Sequence, residues 1–283
     1  MKSNEKSQLE PGAAEPWKKQ LKTFLALTLL YLCHQTFVVL NQGTAIDRLQ
    51  IRLLHWKYLH QTIFLFGIPL LALVLLKRKP SCYALRWNRH VFVSIVTIMS
   101  LTVVLPVLVD LAFGKLEPAK ANISYLLSTL VFQTIFSGCG EELGFRGLYQ
   151  GEMNRVCRKR FRIGSTRFGI GVFVGAFFFG LWHLDIANYV RGGDLNYLWF
   201  FIAILIGLFL GFMREFIECI WIVGFIHASY DTYYYLTKPS TAGIITHLLA
   251  ISLVYCLLFS RTIHAGKQTA GQKKTETVEM LEK

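Results

Sequence analysis

The 283-residue sequence predicts an all-α fold, a polytopic membrane bundle of about eight transmembrane helices. Three observations lead there. Hydrophobic residues make up 53% of the chain and charged residues only 17%, with a mean hydropathy of +0.43, far from the composition of a soluble domain. Apolar runs of spanning length recur along the chain. The basic residues fall mainly between alternate runs.

In order, the runs are 23–40, 62–76, 91–113, 123–149, 168–184, 195–212, 217–236 and 242–260. The first follows about twenty polar residues and lacks a small-x-small cleavage site, so it reads as a retained span rather than a signal peptide. The second is short unless His60 and Gln61 extend it. Residues 1–20 and 261–283 are polar and read as flexible tails, leaving 21–260 as the bundle. The connections are short except for the basic stretch 155–167. There is no internal repeat and no pair of interrupted spans, which argues against a secondary transporter. The six cysteines include no CxxC pair and imply neither a disulfide framework nor a zinc ribbon.

With a cytoplasmic N-terminus, 22 of the 30 Lys and Arg residues lie in inside segments and 7 in outside segments, Arg146 being left within a span. This is the positive-inside asymmetry, and it places both termini in the cytoplasm. It also accounts for the net charge of +13. The cluster at 155–162 is expected to be a topogenic loop touching anionic lipid of the lipid bilayer, a nucleic-acid role being the weaker reading since no binding motif accompanies it.

The fourth run contains SGCGEELGFRG, residues 137–147, with three charges among glycines and apolar residues. A charge at the centre of a span costs about 2.5 to 3.5 kcal/mol on the insertion scale, so these must face the bundle or a water-filled cavity. Glu142 and Arg146 are four apart and can pair. Glu141 points about 100° away and has no evident partner in its own helix. By itself this stretch fits a structural ion pair as well as a functional site. His183 and the pair His227/Asp231 tilt the balance. At 1.5 Å per residue, Glu141, His227 and His183 lie roughly 16, 15 and 22 Å from the cytoplasmic ends of three separate helices. His34 and His247 lack an acidic residue at helical spacing and read as packing or interhelical hydrogen-bonding residues.

Three motifs, EELGFR from Glu141 to Arg146, FGLWH from Phe179 to His183, and HASYD from His227 to Asp231, occur in an order and spacing that resemble the CAAX-processing and bacteriocin-processing (CPBP, or Abi) family of intramembrane endopeptidases. The resemblance covers about 123–236. It implies peptide-bond hydrolysis in a membrane-associated protein or peptide, with Glu141 as general base, His183 as its partner and His227 with Asp231 stabilising the oxyanion. Glu142 and Arg146 then support the site, and Phe179 packs. Many relatives carry asparagine where this chain has Asp231; an ionised carboxylate cannot donate to an oxyanion, so Asp231 is either protonated in its buried setting or, the preferred reading, accepts from His227 and fixes that ring's tautomer. No cofactor is favoured. Zinc on Glu141, His183 and His227 is the alternative, although the chain lacks HExxH.

Rival classes fit less well. An aspartyl intramembrane protease needs GxGD, and RGGD at 191–194 has the wrong spacing in a loop. In a rhomboid reading, Ile135 occupies a required glycine position. A catalytically silent immunity or scaffold protein of the same fold is the non-enzyme alternative.

Overall fold

A computed structural model of the chain describes residues 16–41, 44, 45, 48, 49, 52, 62–114, 123–163 and 166–258. Its helices are α1 (Pro16–Asn41), α2 (Thr62–Leu75), α3 (Arg89–Ala112) and α4 (residues 123–156). After a hairpin of β1 (Arg160–Ile163) and β2 (Thr166–Gly169) come α5 (Gly171–Trp182) and the short α6 (Ile186–Val190). The chain continues through α7 (Tyr197–Ile217), α8 (Ile220–Leu236) and α9 (Thr241–Leu258). A helix coincides with each of the eight apolar runs.

Among the described residues, five stretches are long and apolar enough to cross a membrane: Trp17–Asn41, Arg89–Ala112, Gly171–Val190, Tyr197–Ile217 and Thr241–Leu258. Of the others, α2 is shorter, α8 has 17 residues, and α4 carries Glu141, Glu142 and Arg146. The protein is an integral membrane helix bundle. Residues 1–15 and 259–283, which include most of the two expected tails, lie outside the described residues. α1 begins inside the expected N-terminal tail, at Pro16, because proline suits the first turn of a helix.

α4 runs through the middle of the bundle. Its segment Phe132–Cys139 crosses α8 so closely that a Cβ on Gly138 would lie 2.4 Å from the Ala228 Cβ and 2.5 Å from its Cα. Around it lie two apolar cores. One joins α1, α4 and α5 through Tyr31, Phe145, Tyr149, Phe178 and Phe179. The other joins α3, α7, α8 and α9 through Ile98, Met213, Val223 and Val254.

The winding is not uniformly α-helical. π-helical segments occupy Thr62–Gly67 in α2, Ser100–Val104 in α3, and Phe132–Cys139 and Leu143–Tyr149 in α4. In α2 and α3 the cause is proline: Pro69 and Pro106 follow these segments, and each removes an N–H and crowds the carbonyl four residues earlier. For Pro106 that carbonyl belongs to Thr102, and the His247 ring supplies the missing donor through Nδ1 at 2.5 Å. His247 thus has the interhelical role expected of it, and His34 stacks between Phe64 and Trp182, both ring centroids at 4.4 Å.

At the hairpin end, past the apolar run of α4, Glu152 accepts from Arg78 and Arg155, each at 2.9 Å. Burial alone raises the Glu152 carboxyl, and the two guanidinium groups outweigh it, so the net direction is below the ordinary carboxylate value. Glu215 accepts there from Gln150, Asn154 and Arg214 at 2.6, 2.6 and 2.8 Å, tying α4 to α7. At the other end, Asp110 of α3 accepts from the Tyr233 hydroxyl of α8 at 2.6 Å and from Ser240.

Candidate active site

The site is assembled on α4, α5 and α8. Between its two π-helical segments α4 keeps one short α-helical piece, Gly140–Glu142, and both glutamates sit on it. Such interruptions concentrate at functional sites because they re-aim side chains that a regular helix would send apart. Here both carboxylates reach His227 of α8. Its Nδ1 lies 2.9 Å from Glu142 Oε1, and its Nε2 lies 4.0 Å from Glu141 Oε2 and 4.0 Å from Asp231 Oδ2.

The tautomer follows from these distances. A carboxylate only accepts, so the 2.9 Å contact puts a proton on His227 Nδ1 and turns Nε2 toward Glu141 and Asp231. Glu142, not Asp231, therefore holds the ring. Asp231 is too far for that task, and its Oδ2 instead accepts from the Ser137 hydroxyl at 3.0 Å. Ser137 also approaches Glu141 Oε1 at 3.4 Å, one turn earlier on the same helix. Glu141 thus has a neighbour in α4 that sequence reading does not assign.

Glu142 and Arg146 form the expected pair, with Arg146 Nε 3.1 Å from Glu142 Oε2 and both side chains fully buried. The guanidinium lies over the Phe179 ring, 4.2 Å from its centroid. Such a cation–π contact contributes roughly 2 kcal/mol when desolvated. Phe179 is also 4.5 Å from the His183 ring and presents an edge contact to His227 at 5.7 Å. One aromatic ring thereby packs against three polar side chains of the site, a structural role in keeping with its expected packing.

His183 stands where α5 ends. Its backbone N–H turns to the Gly180 carbonyl, which releases the Phe179 carbonyl, and the His183 ring takes that carbonyl through Nδ1 at 2.9 Å. A histidine commonly caps a helix C-terminus in this way. A carbonyl accepts, so the proton is on Nδ1, and Nε2 is the free nitrogen of the neutral ring.

The structure thus brings Glu141, Glu142, Arg146, His227 and Asp231 into one cluster, with His183 reaching it through the Phe179 ring. As a zinc site the arrangement fits poorly. Among the described residues no three His, Cys, Asp or Glu side chains converge closely enough to hold a metal ion. The Nδ1 bonds of His227 to Glu142 and of His183 to the Phe179 carbonyl leave each Nε2 available and do not themselves exclude ligation.

Residues 123–233 match the family model of Rce1-like proteins, type II CAAX prenyl endopeptidases. The matched stretch runs from the start of α4 into the last turns of α8 and includes all three motifs. No curated protein and no solved structure matches the chain.

Proposed function

We propose, taking as premise that residues 123–233 form a core similar to the type II CAAX prenyl endopeptidases, that the chain hydrolyses a peptide bond near the end of a membrane-associated protein or peptide, with a prenylated CAAX tail as the first substrate to test. The match supports a peptidase at the coarse level. The observation that carries the finer reading is the pair of 4.0 Å gaps from His227 Nε2 to Glu141 and to Asp231. Each is too long for a direct hydrogen bond and short enough for one water or one substrate oxygen to bridge.

In this reading the 4.0 Å gaps beside His227 Nε2 take the substrate oxygen, and the attacking water is held by Glu141 with His183 as its partner. Glu141 takes one of its protons as general base, the free Nε2 of His183 accepts the other in a hydrogen bond, and the water oxygen attacks the scissile carbonyl carbon. The resulting oxyanion accepts from a second proton on His227 Nε2, the ring being an imidazolium whose Nδ1–H Glu142 holds. Asp231, held by Ser137, borders the same space. When the carbon–nitrogen bond breaks, the proton on Glu141 passes to the leaving amine. No step passes through a metal. The bundle's polar cluster does this work in a water-poor setting, where preorganised groups stabilise developing charge more than they would in water.

The test is mass-spectrometric analysis of a prenylated CAAX peptide incubated with purified protein, in parallel with Glu141→Gln. Wild type should release the terminal fragment, and Glu141→Gln should be folded and slower by about 10³-fold or more, the upper range of general-base catalysis. Equal activity in the two would refute the mechanism. Prolonged chelation should leave activity unchanged, whereas loss that added zinc restores would reassign Glu141, His183 and His227 as ligands. A folded protein that binds the peptide without cleaving it would indicate the scaffold alternative. Both termini are taken as cytoplasmic, and labelling a cysteine placed in 155–167 from outside intact cells would contradict that.

A further inference from the structure

The connection between α4 and α5 is built as an amphipathic hairpin, not as an irregular basic loop. In the register Arg162↔Arg167 and Phe161↔Phe168, directly opposed residues share a face. One face therefore carries Arg162 and Arg167 side by side, both exposed. The other carries Phe161 and Phe168, stacked at 5.6 Å. Phe168 is buried and meets Phe212 of α7 at 4.8 Å, which fastens the hairpin to the bundle.

Two features of this hairpin are unfavourable in water. Like charges directly opposite one another on a sheet repel. Near the tip, Ile163 is 62% exposed and Phe161 37% exposed, large apolar side chains beside a run of cations. Both features become favourable in one setting, the boundary of a lipid leaflet, where apolar side chains enter the acyl region and guanidinium groups meet phosphate. The hairpin's position supplies that setting. α4 ends at Val156 and α5 starts at Gly171, so, with both helices taken as spans, the hairpin connects them at a surface of the bilayer.

We infer that the Arg160–Gly169 hairpin is a docking element for anionic phospholipid, its opposed Arg162 and Arg167 clasping one headgroup phosphate and Ile163 anchoring in the acyl boundary of the same leaflet. The opposed pair matches a phosphate by charge and by the bidentate geometry of guanidinium. This role is separate from the proposed hydrolysis and does not depend on it.

The test uses the full chain purified in neutral detergent and exposed to mixed micelles of phosphatidylglycerol and phosphatidylcholine, with retained lipids counted by native mass spectrometry. Wild type should retain phosphatidylglycerol preferentially, and the preference should fall as sodium chloride is raised. Arg162→Gln/Arg167→Gln should lower it by roughly 5-fold per arginine removed, while Arg162→Lys/Arg167→Lys should keep most of it. Ile163→Ser should lower retention of both lipids with little change in their ratio. Lys18→Gln/Lys19→Gln, at the start of α1, serves as the charge control and should change nothing. The inference is overturned by a salt-independent wild-type preference, a measurement that needs no variant. It is equally overturned if the glutamine pair retains lipid as wild type does, or if the Lys18/Lys19 control loses as much. Displacement of the lipid by millimolar inorganic phosphate would also overturn it, by showing a site for soluble anions.

Discussion

His227 is the residue on which the arrangement turns, because its two ring nitrogens face different carboxylates. Replacing it by alanine removes both contacts and should abolish activity. Asp231→Asn should retain substantial activity, within about 10-fold of wild type, because the asparagine carbonyl can still accept from Ser137. Equal loss in both variants, measured as kcat/KM on one substrate, would show that Asp231 acts through its charge. Glu141, Glu142, Arg146, His183, His227 and Asp231 were all legible in the sequence, since charged and imidazole groups inside apolar runs demand a reason. Ser137 was not. A serine is inexpensive in a membrane helix and carries no signal until the fold sets it between two carboxylates. Asp110 falls under the same rule. It is fully buried within α3, and its partners Tyr233 and Ser240 lie more than a hundred residues away in sequence.

Among the elements, the α4–α8 crossing leaves least room. Gly138→Ala should lower thermal stability by roughly 1–3 kcal/mol, as overpacking does. Ala228→Gly should not restore it, because the added methyl would also meet the Ala228 backbone, its Cα at 2.5 Å and its N at 2.7 Å. Recovery in the double variant, followed by thermal unfolding in detergent, would contradict that packing. The proline-relieved carbonyl of α3 gives a second test. His247→Ala should cost roughly 1–3 kcal/mol by leaving the Thr102 carbonyl without its donor. In a Pro106→Ala background the restored backbone N–H can serve that carbonyl, so the same change should cost clearly less. Additive effects would show that the ring and the proline are not coupled. The π-helical turns were not readable beforehand, since hydropathy is blind to winding. The hairpin leaves a trace in the alternation Arg160, Phe161, Arg162, Ile163, which the surrounding positive charge masks.

At the scale of the whole molecule, apolar cores hold the bundle and polar clasps set its ends. The clasp at Glu152 has a definite pH dependence. Its carboxyl is held below the ordinary value when folded, so its stabilisation is complete above the ordinary carboxylate range and is lost as pH falls through the lower folded value. The melting temperature of wild type should therefore drop below about pH 4.5, whereas Glu152→Gln should start lower and lose less across that window. Parallel curves for the two proteins would remove Glu152 from the account. That each of the eight apolar runs holds a helix was legible in the sequence, while how far each crosses the membrane was not, because the charged α4 and the shorter α2 and α8 do not announce their ends. α4 itself resembles a drive shaft. It is gripped at one end by Arg78 through Glu152 and further along, within one of its two π-wound couplings, by Thr232 through Thr134, and those couplings flank the α-helical piece that bears both carboxylates. A small torque shared by those couplings can swing Glu141 and Glu142 about the axis while the bearings stay fixed. Backbone amides in Leu143–Tyr149 should accordingly exchange with deuterium faster than those in Gln150–Val156. Uniform protection along α4 would mean that the shaft is stiff.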